Sequence, residues 1–269
     1  MQRIDVYGVR YCDVVLYLSR ILQNLHRNVL ICDRSISKTM RNFVPVFDEF
    51  DLNREIFDYG GVGYTYLYTG NPSGGRTQED ISVAAEKGWE EPPSGRPEEL
   101  KRAIDEDDDA FDIMIVLSDA SAALADFWDE ERHDRQISLF ITDEYPENIY
   151  EMRSTLKAIN KNAGYMGEDR AGNSNGKRLF VVRDYTGTAK TIINELEMTA
   201  GASKSFLIPW SRTDRRLEMM AAYNDGFRFV GMSDKLCCLL EELCDGLGID
   251  TSDSDYRKAF IKAGKGKRT

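Results

Sequence analysis

Apolar and polar positions along the chain follow two different periods. Residues 3 to 7 (RIDVY) form a short apolar-rich run, and Val14, Leu18, Ile21, Leu22 and Leu25 then recur at i, i+4, i+7, i+8 and i+11. That spacing predicts an amphipathic helix over residues 12 to 26. Asn28 breaks the pattern, and Val29-Leu-Ile-Cys32 is a continuous apolar run ending in Asp33. Continuous runs belong to strands buried on both faces, so the first 33 residues predict a βαβ unit with parallel strands.

From residue 43 to 70 the period changes. Tyr64, Tyr66 and Tyr68 alternate with Thr65, Leu67 and Thr69, which predicts a strand. The preceding Gly60-Gly-Val-Gly63 looks like a phosphate-binding loop, but Tyr64 stands where a lysine is needed. A working phosphate loop also opens a helix, whose unpaired N–H groups hold the anion, whereas here a strand follows. The four residues are therefore read as a turn between two strands.

Residues 70 to 98, rich in Gly, Pro, Ser and charge, predict an irregular excursion, and a charged helix starts at Glu98. Beyond it, strands and helices alternate. Strands are predicted at 111–117, 137–142, 178–182 and 205–208, with helices at 120–132, 146–162 and 187–200 and a Gly/Asn-rich loop at 164–176. A helix over 211–224, a short strand Phe227-Arg-Phe-Val230 and a helix with Leu236, Leu239, Leu240, Leu243 and Leu247 on one face complete the series. The alternation predicts an α/β fold, a mostly parallel open sheet with helices on both faces. A single domain is expected over residues 1–250, followed by a basic tail at 251–269.

Composition narrows the function classes. With 42% hydrophobic and 30% charged residues the chain is of ordinary globular type, and no apolar run approaches the roughly 20 residues of a membrane span. The start, MQRIDVYGVRYCDVV, does not resemble a secretory signal, so a cytoplasmic location is expected. A net charge of −11 opposes nonspecific nucleic-acid binding, which needs a clustered cationic surface. The five cysteines lie in apolar patterns and are odd in number, which suits reduced core thiols. Adjacent carboxylates at Asp105 to Asp109 repel one another and read as a solvated stretch. Asp143-Glu144 follows a strand and reads as a turn or cap, and His26 and His133 read as surface residues. In Ser254 to Thr269, Tyr256 and Phe260 with Lys258, Lys262, Lys265 and Lys267 would suit a weak contact with anionic lipid, although a frayed soluble tail is the simpler reading.

In an open parallel sheet ligands collect at the carboxyl ends of the strands, where strand order reverses. The loop after the first strand, Gly8-Val-Arg-Tyr-Cys-Asp13, is thus the place for chemistry. A phosphate loop needs small residues for close backbone approach, a lysine to neutralise charge and a hydroxyl for magnesium. This loop has one glycine, no lysine, and no Ser or Thr at the start of the helix. Gly8 and Arg10 alone could still make a tight turn and meet an anion. Asp33, an acid some 20 residues beyond a glycine-containing turn, also fits a dinucleotide-binding plan, though only Gly8 of the expected glycines is there.

The first unit, RIDVYG followed by VVLYLSRILQNLHRNVLICDRS, resembles the ParA/MinD group of P-loop ATPases. Asp33 falls at the aspartate after the family's second strand, with Ser35 replacing a second aspartate. Phe111-Asp-Ile-Met-Ile-Val is similar to the Walker B strand, with Ser118-Asp119-Ala120 in place of its Asp-x-Pro end. Residues 137–148 are similar to the family's VILVT-x-P strand and the helix after it. Val181-Val-Arg-Asp184 is similar to the strand that carries an Asn-Arg base contact, with Arg183 where Asn is usual, and Phe206-Leu-Ile-Pro209 resembles the adenine-side loop, with Ser211 replacing its acid. The resemblance implies a P-loop NTPase-like fold of ParA/MinD type with degenerate pocket positions at Gly8, Arg10, Cys12, Asp33, Asp119, Arg183 and Pro209. It implies a pseudo-ATPase without a cofactor, acting as a scaffold or localisation factor like the TadZ/CpaE-like proteins of Flp-type pilus or secretion machines. Protein partners are expected, as a homodimer or a heterodimer with a related ATPase. The alternative is an atypical ATPase that keeps ATP and magnesium, or a Rossmann-like enzyme.

Overall fold

The computed structural model describes residues 1–8, 12–33, 40, 56–66, 110–118, 136–165, 177–200, 203–214, 216 and 233–264. In chain order the elements are β1 (Gln2–Tyr7), α1 (Cys12–Asn24), β2 (Val29–Asp33), β3 (Phe57–Tyr59), β4 (Val62–Tyr66), β5 (Ile113–Ser118) and β6 (Gln136–Asp143). They continue with α2 (Pro146–Tyr165), β7 (Lys177–Arg183), α3 (Ala189–Ala200), β8 (Lys204–Ile208), α4 (Asp234–Gly246) and α5 (Asp253–Gly264). The helix expected at 120–132, the excursion at 70–98 and the strand expected at 227–230 lie outside the described residues.

All eight strands join one sheet in the order β3-β4-β2-β5-β1-β6-β7-β8. Every pairing is parallel except β3 with β4. This is the α/β open sheet that the alternation predicts. The five residues of β2 and the six of β5 are buried throughout, as their uninterrupted apolar runs require.

Successive residues of a strand point to opposite faces, and the core divides accordingly. Ile4, Val6, Ile115, Leu117, Leu139, Ile141, Leu179 and Val181 form one cluster with the apolar stripes of α1, α4 and α5. On the opposite face Phe140, Phe180 and Val182 meet Met152 and Leu156 of α2 and Ala189 and Leu196 of α3. Helices thus cover both faces.

The Gly60-Gly61 pair is the turn of a two-residue hairpin: Tyr59 pairs with Val62, and both glycines have positive φ (67° and 85°). A turn with two positive φ angles matches the twist of the flanking strands, which explains glycine at both positions. The motif that resembles a phosphate loop is therefore a sheet-edge turn.

Two expectations need correction. Residues 253–264 are not a frayed tail: α5 packs against α1, with Tyr256, Ala259 and Ala263 buried. The Tyr256 hydroxyl donates to the Cys237 carbonyl at 2.8 Å, and the Asn24 amide donates to the Ala259 carbonyl at 3.0 Å. Tyr256 is thereby spent inside the fold rather than offered to a lipid surface. Among the cysteines, Cys32 and Cys244 are buried as expected, whereas Cys238 is exposed on α4. No described helix is long and apolar enough to cross a membrane.

Candidate functional site

Strand β1 lies mid-sheet, with β5 on one side and β6 on the other, and the chain builds outward in both directions from it. The carboxyl end of β1 is therefore the switch point where this architecture forms its cleft. Gly8 sits there with φ at 94°. A Cβ on Gly8 would lie 1.9 Å from the Ile141 carbonyl oxygen of β6, so only glycine fits.

Strand β1 ends at Tyr7 and α1 begins at Cys12, leaving residues 8 to 11 between them. The Gly-x-x-x-x-Gly part of a phosphate loop alone takes about six residues. Four residues are fewer than that. Arg10 lies outside the described residues, as does the side chain of Cys12.

The first turn of α1 carries Asp13, and its carboxylate is salt-bridged to the Arg183 guanidinium from the carboxyl end of β7. Both side chains are about 5% exposed. A helix N-terminus attracts negative charge, and here a protein carboxylate supplies it. A phosphate approaching the same helix start would meet a like charge, with the nearby cation already neutralised. Asp13 Oδ1 has no hydrogen-bond partner among the described residues.

Two further polar groups belong to this cluster. Tyr17, one turn along α1, is buried, and its hydroxyl is held protonated well above the usual phenol range, first by burial and then by the negative charges of Asp13 and Asp214. Asp214 lies beyond β8 and accepts from the Ser233 backbone N–H at 2.8 Å and from its hydroxyl at 2.5 Å. Ser233 in turn caps α4 by accepting from Leu236 N–H at 3.2 Å. Hydrogen bonds thus join α1 to β7 and the segment after β8 to the start of α4.

The remaining sequence candidates fall elsewhere. Asp33, 1% exposed, accepts from the Met40 backbone N–H at 3.1 Å and acts as a local cap at the end of β2. Pro209 follows β8 and is half-buried, and Asp119 lies outside the described residues. Asp143 accepts from Tyr145 N–H at 3.0 Å and from the Asn148 side-chain amide at 2.8 Å, which fixes the turn between β6 and α2. The structure therefore brings Gly8 and Arg183 to one place and leaves Asp33 in a separate role. Asp13, Tyr17 and Asp214 were missed by sequence reasoning. An acid in the first turn after the first strand was the available signal for Asp13, since it opposes anion binding at that helix start. Nothing in the sequence pointed to Tyr17 or Asp214.

Among the described residues no group of three or more His, Cys, Asp or Glu side chains is placed to hold a metal ion. No protein-family model matches the chain, and no curated protein matches it. Solved structures with a similar chain trace include partition proteins and a synthase. A Borrelia burgdorferi protein assigned to plasmid partition, solved with AMPPNP, has a TM-score of 0.45 at 12% identity, over 97% of this chain and 98% of that one. The pNOB8 ParA bound to nonspecific DNA has a TM-score of 0.39 at 13% identity over the whole of both chains. Cobyrinic acid a,c-diamide synthase from Mycobacterium smegmatis has a TM-score of 0.30 at 15% identity, over 91% of this chain and 93% of that one. At these scores the description of the fold rests on the sheet order and register given above.

Proposed function

We propose that this chain is a catalytically inactive ParA/MinD-like protein, a pseudo-ATPase that serves as a scaffold or localisation factor through protein partners. The observation that carries the reading is the buried Asp13–Arg183 pair at the switch point. Phosphoryl transfer depends on positioning the phosphates and stabilising their charge. A helix start that carries its own buried carboxylate, salt-bridged to Arg183, works against both. The four-residue connection after β1 supports the same conclusion.

Within this reading the resemblance to TadZ/CpaE-like proteins suggests a role in positioning a Flp/Tad-type pilus or secretion machine, as a homodimer or beside an active relative. The net charge of −11 favours protein over DNA as the partner. A dinucleotide-binding enzyme would need the Asp33 carboxylate to reach a ribose hydroxyl, and Asp33 is 1% exposed.

Titration of the purified protein with fluorescent ATP, with and without magnesium, tests the proposal. The expected result is no saturable binding and no phosphate release. Micromolar, magnesium-dependent binding overturns it.

A further inference from the structure

Strands β6, β7 and β8 end in register, with Asp143 paired to Arg183 and Arg183 to Ile208. Two residues beyond each of these positions stands an aromatic side chain: Tyr145, Tyr185 and Trp210. The turns that carry them are stitched together. Tyr185 N–H donates to the Glu144 carboxylate, and Asp184 N–H donates to the Ile208 carbonyl at 2.9 Å. The Tyr145 and Tyr185 rings lie 5.7 Å apart at an interplanar angle of 36°. Tyr145 is 46% exposed and Trp210 54%, and with Tyr150 of α2 they account for every large exposed aromatic among the described residues. Apolar rings gathered at one end of the sheet, on turns fixed by hydrogen bonds, form a preorganised surface.

Charge selects what this surface takes. The tyrosine end is acidic: Glu144 and Asp184 stand on the two stitched turns, and Glu147 is exposed in the first turn of α2. Glu144 Oε2 is buried without a hydrogen-bond partner among the described residues. The exposed basic side chains nearby in sequence, Lys190 and Arg212, lie on the first turn of α3 and beyond Trp210. Ring faces attract cations, and Arg combines that attraction with paired hydrogen bonds to carboxylates.

We infer that the carboxyl edge of β6 to β8 docks an arginine-bearing basic segment of a protein partner, its guanidinium groups over Tyr145 and Tyr185 and its apolar stems along Trp210. The inference extends the scaffold reading by naming the partner's chemistry, and rests on that reading only in taking the occupant to be a protein.

The test is fluorescence anisotropy with a labelled (Arg-Gly)3 peptide at low salt, using the full chain, with (Gln-Gly)3 as the uncharged comparison. Tyr145→Ala and Trp210→Ala leave the net charge unchanged, so their effect reports the rings rather than the acidity of the whole molecule. Tyr145→Ala is expected to weaken binding roughly two- to fivefold, in line with a cation–π contact at an exposed site, and Trp210→Ala by a similar factor through the lost contact with the arginine stems. Ile261→Ala, at an exposed position of α5, serves as control and is expected to bind as the unaltered protein does. Equal binding by the Tyr145→Ala/Trp210→Ala variant, an equal loss from Ile261→Ala, or equal affinity for (Gln-Gly)3 each overturns the inference. None of these outcomes bears on nucleotide binding, so this idea and the pseudo-ATPase reading fail separately.

Discussion

Replacing Asp13 by Asn keeps size and shape but leaves the Arg183 guanidinium buried beside a neutral group. Both side chains are about 5% exposed, so water cannot compensate for the lost charge. Removing one member of a buried pair costs about 3–5 kcal/mol, because the remaining ion keeps its desolvation penalty without its attraction. Against a total stability of about 5–15 kcal/mol, that is a large share. In urea, with an m-value of about 3 kcal/mol/M, the unfolding midpoint should fall by about 1 to 1.7 M. Arg183→Met, which preserves the apolar stem, should be comparably costly, since it strands the Asp13 carboxylate. The double variant Asp13→Asn/Arg183→Met should be less destabilised than the sum of the two by about 2 kcal/mol or more, because both changes remove the same ion pair. Denaturant curves for the four proteins decide the matter. Additive single effects, or an Asp13→Asn midpoint within error of the unaltered protein, would refute the claim that this pair is what fills the switch point.

Gly8→Ala should destabilise by about 2–5 kcal/mol in the same assay, combining a positive φ with overlap on a backbone carbonyl that cannot rotate away; an effect below about 1 kcal/mol would mean that the first connection does not press on β6. His26 follows α1 with φ at 60°, and Arg27 N–H donates back to the Leu22 carbonyl, the geometry of a helix end that favours glycine. His26→Gly should therefore raise stability by about 0.5–1 kcal/mol, read as a thermal shift of about 1 to 3 °C. Burial, joined by nearby acidic groups, pushes the Cys237 and Cys244 thiols up from 9 to about 12. Iodoacetamide at pH 8 followed by peptide mass spectrometry should label exposed Cys238 ahead of both. Above pH 9 the unfolded chain loses these protons while the folded chain keeps them, so their contribution to stability is intact below pH 9 and is lost as pH rises toward 12.

Strand and helix positions were legible because apolar runs and 3.6-residue spacing are local signals. β2 is predicted from Val29 to Cys32 and observed from Val29 to Asp33, and α1 ends two residues before its predicted end. The Gly60–Gly63 turn was legible too, because Tyr64 and the alternating residues after it cannot belong to a helix. The C-terminal helix was misread, since its apolar side is made of Tyr256, Ala259 and Ala263, two of which hardly register as hydrophobic. They bury well because a helix with small residues can approach α1 closely. The site was half legible. Gly8 and Arg183 could be placed at strand ends from order alone, but the partner of Arg183 lies 170 residues away in the sequence, and such a pairing follows only from the sheet order that puts β1 two places from β7.

A filled switch point also bears on how such a protein would be regulated. A ligand shifts a conformational equilibrium only through a difference in affinity between two states. If the Asp13–Arg183 pair stands where a triphosphate would otherwise be gripped, there is no nucleotide to supply that difference. The pair is also internal, so its strength does not vary with metabolite concentration. Partner docking at the adjoining carboxyl ends of β6 to β8, on turns held by the Glu144 and Asp184 hydrogen bonds, should then be constitutive. Anisotropy titrations with the arginine peptide in the presence and absence of ATP and magnesium should give superimposable curves. A shift of threefold or more would mean that the cleft still communicates with the edge, and that an anion can displace the carboxylate from the start of α1.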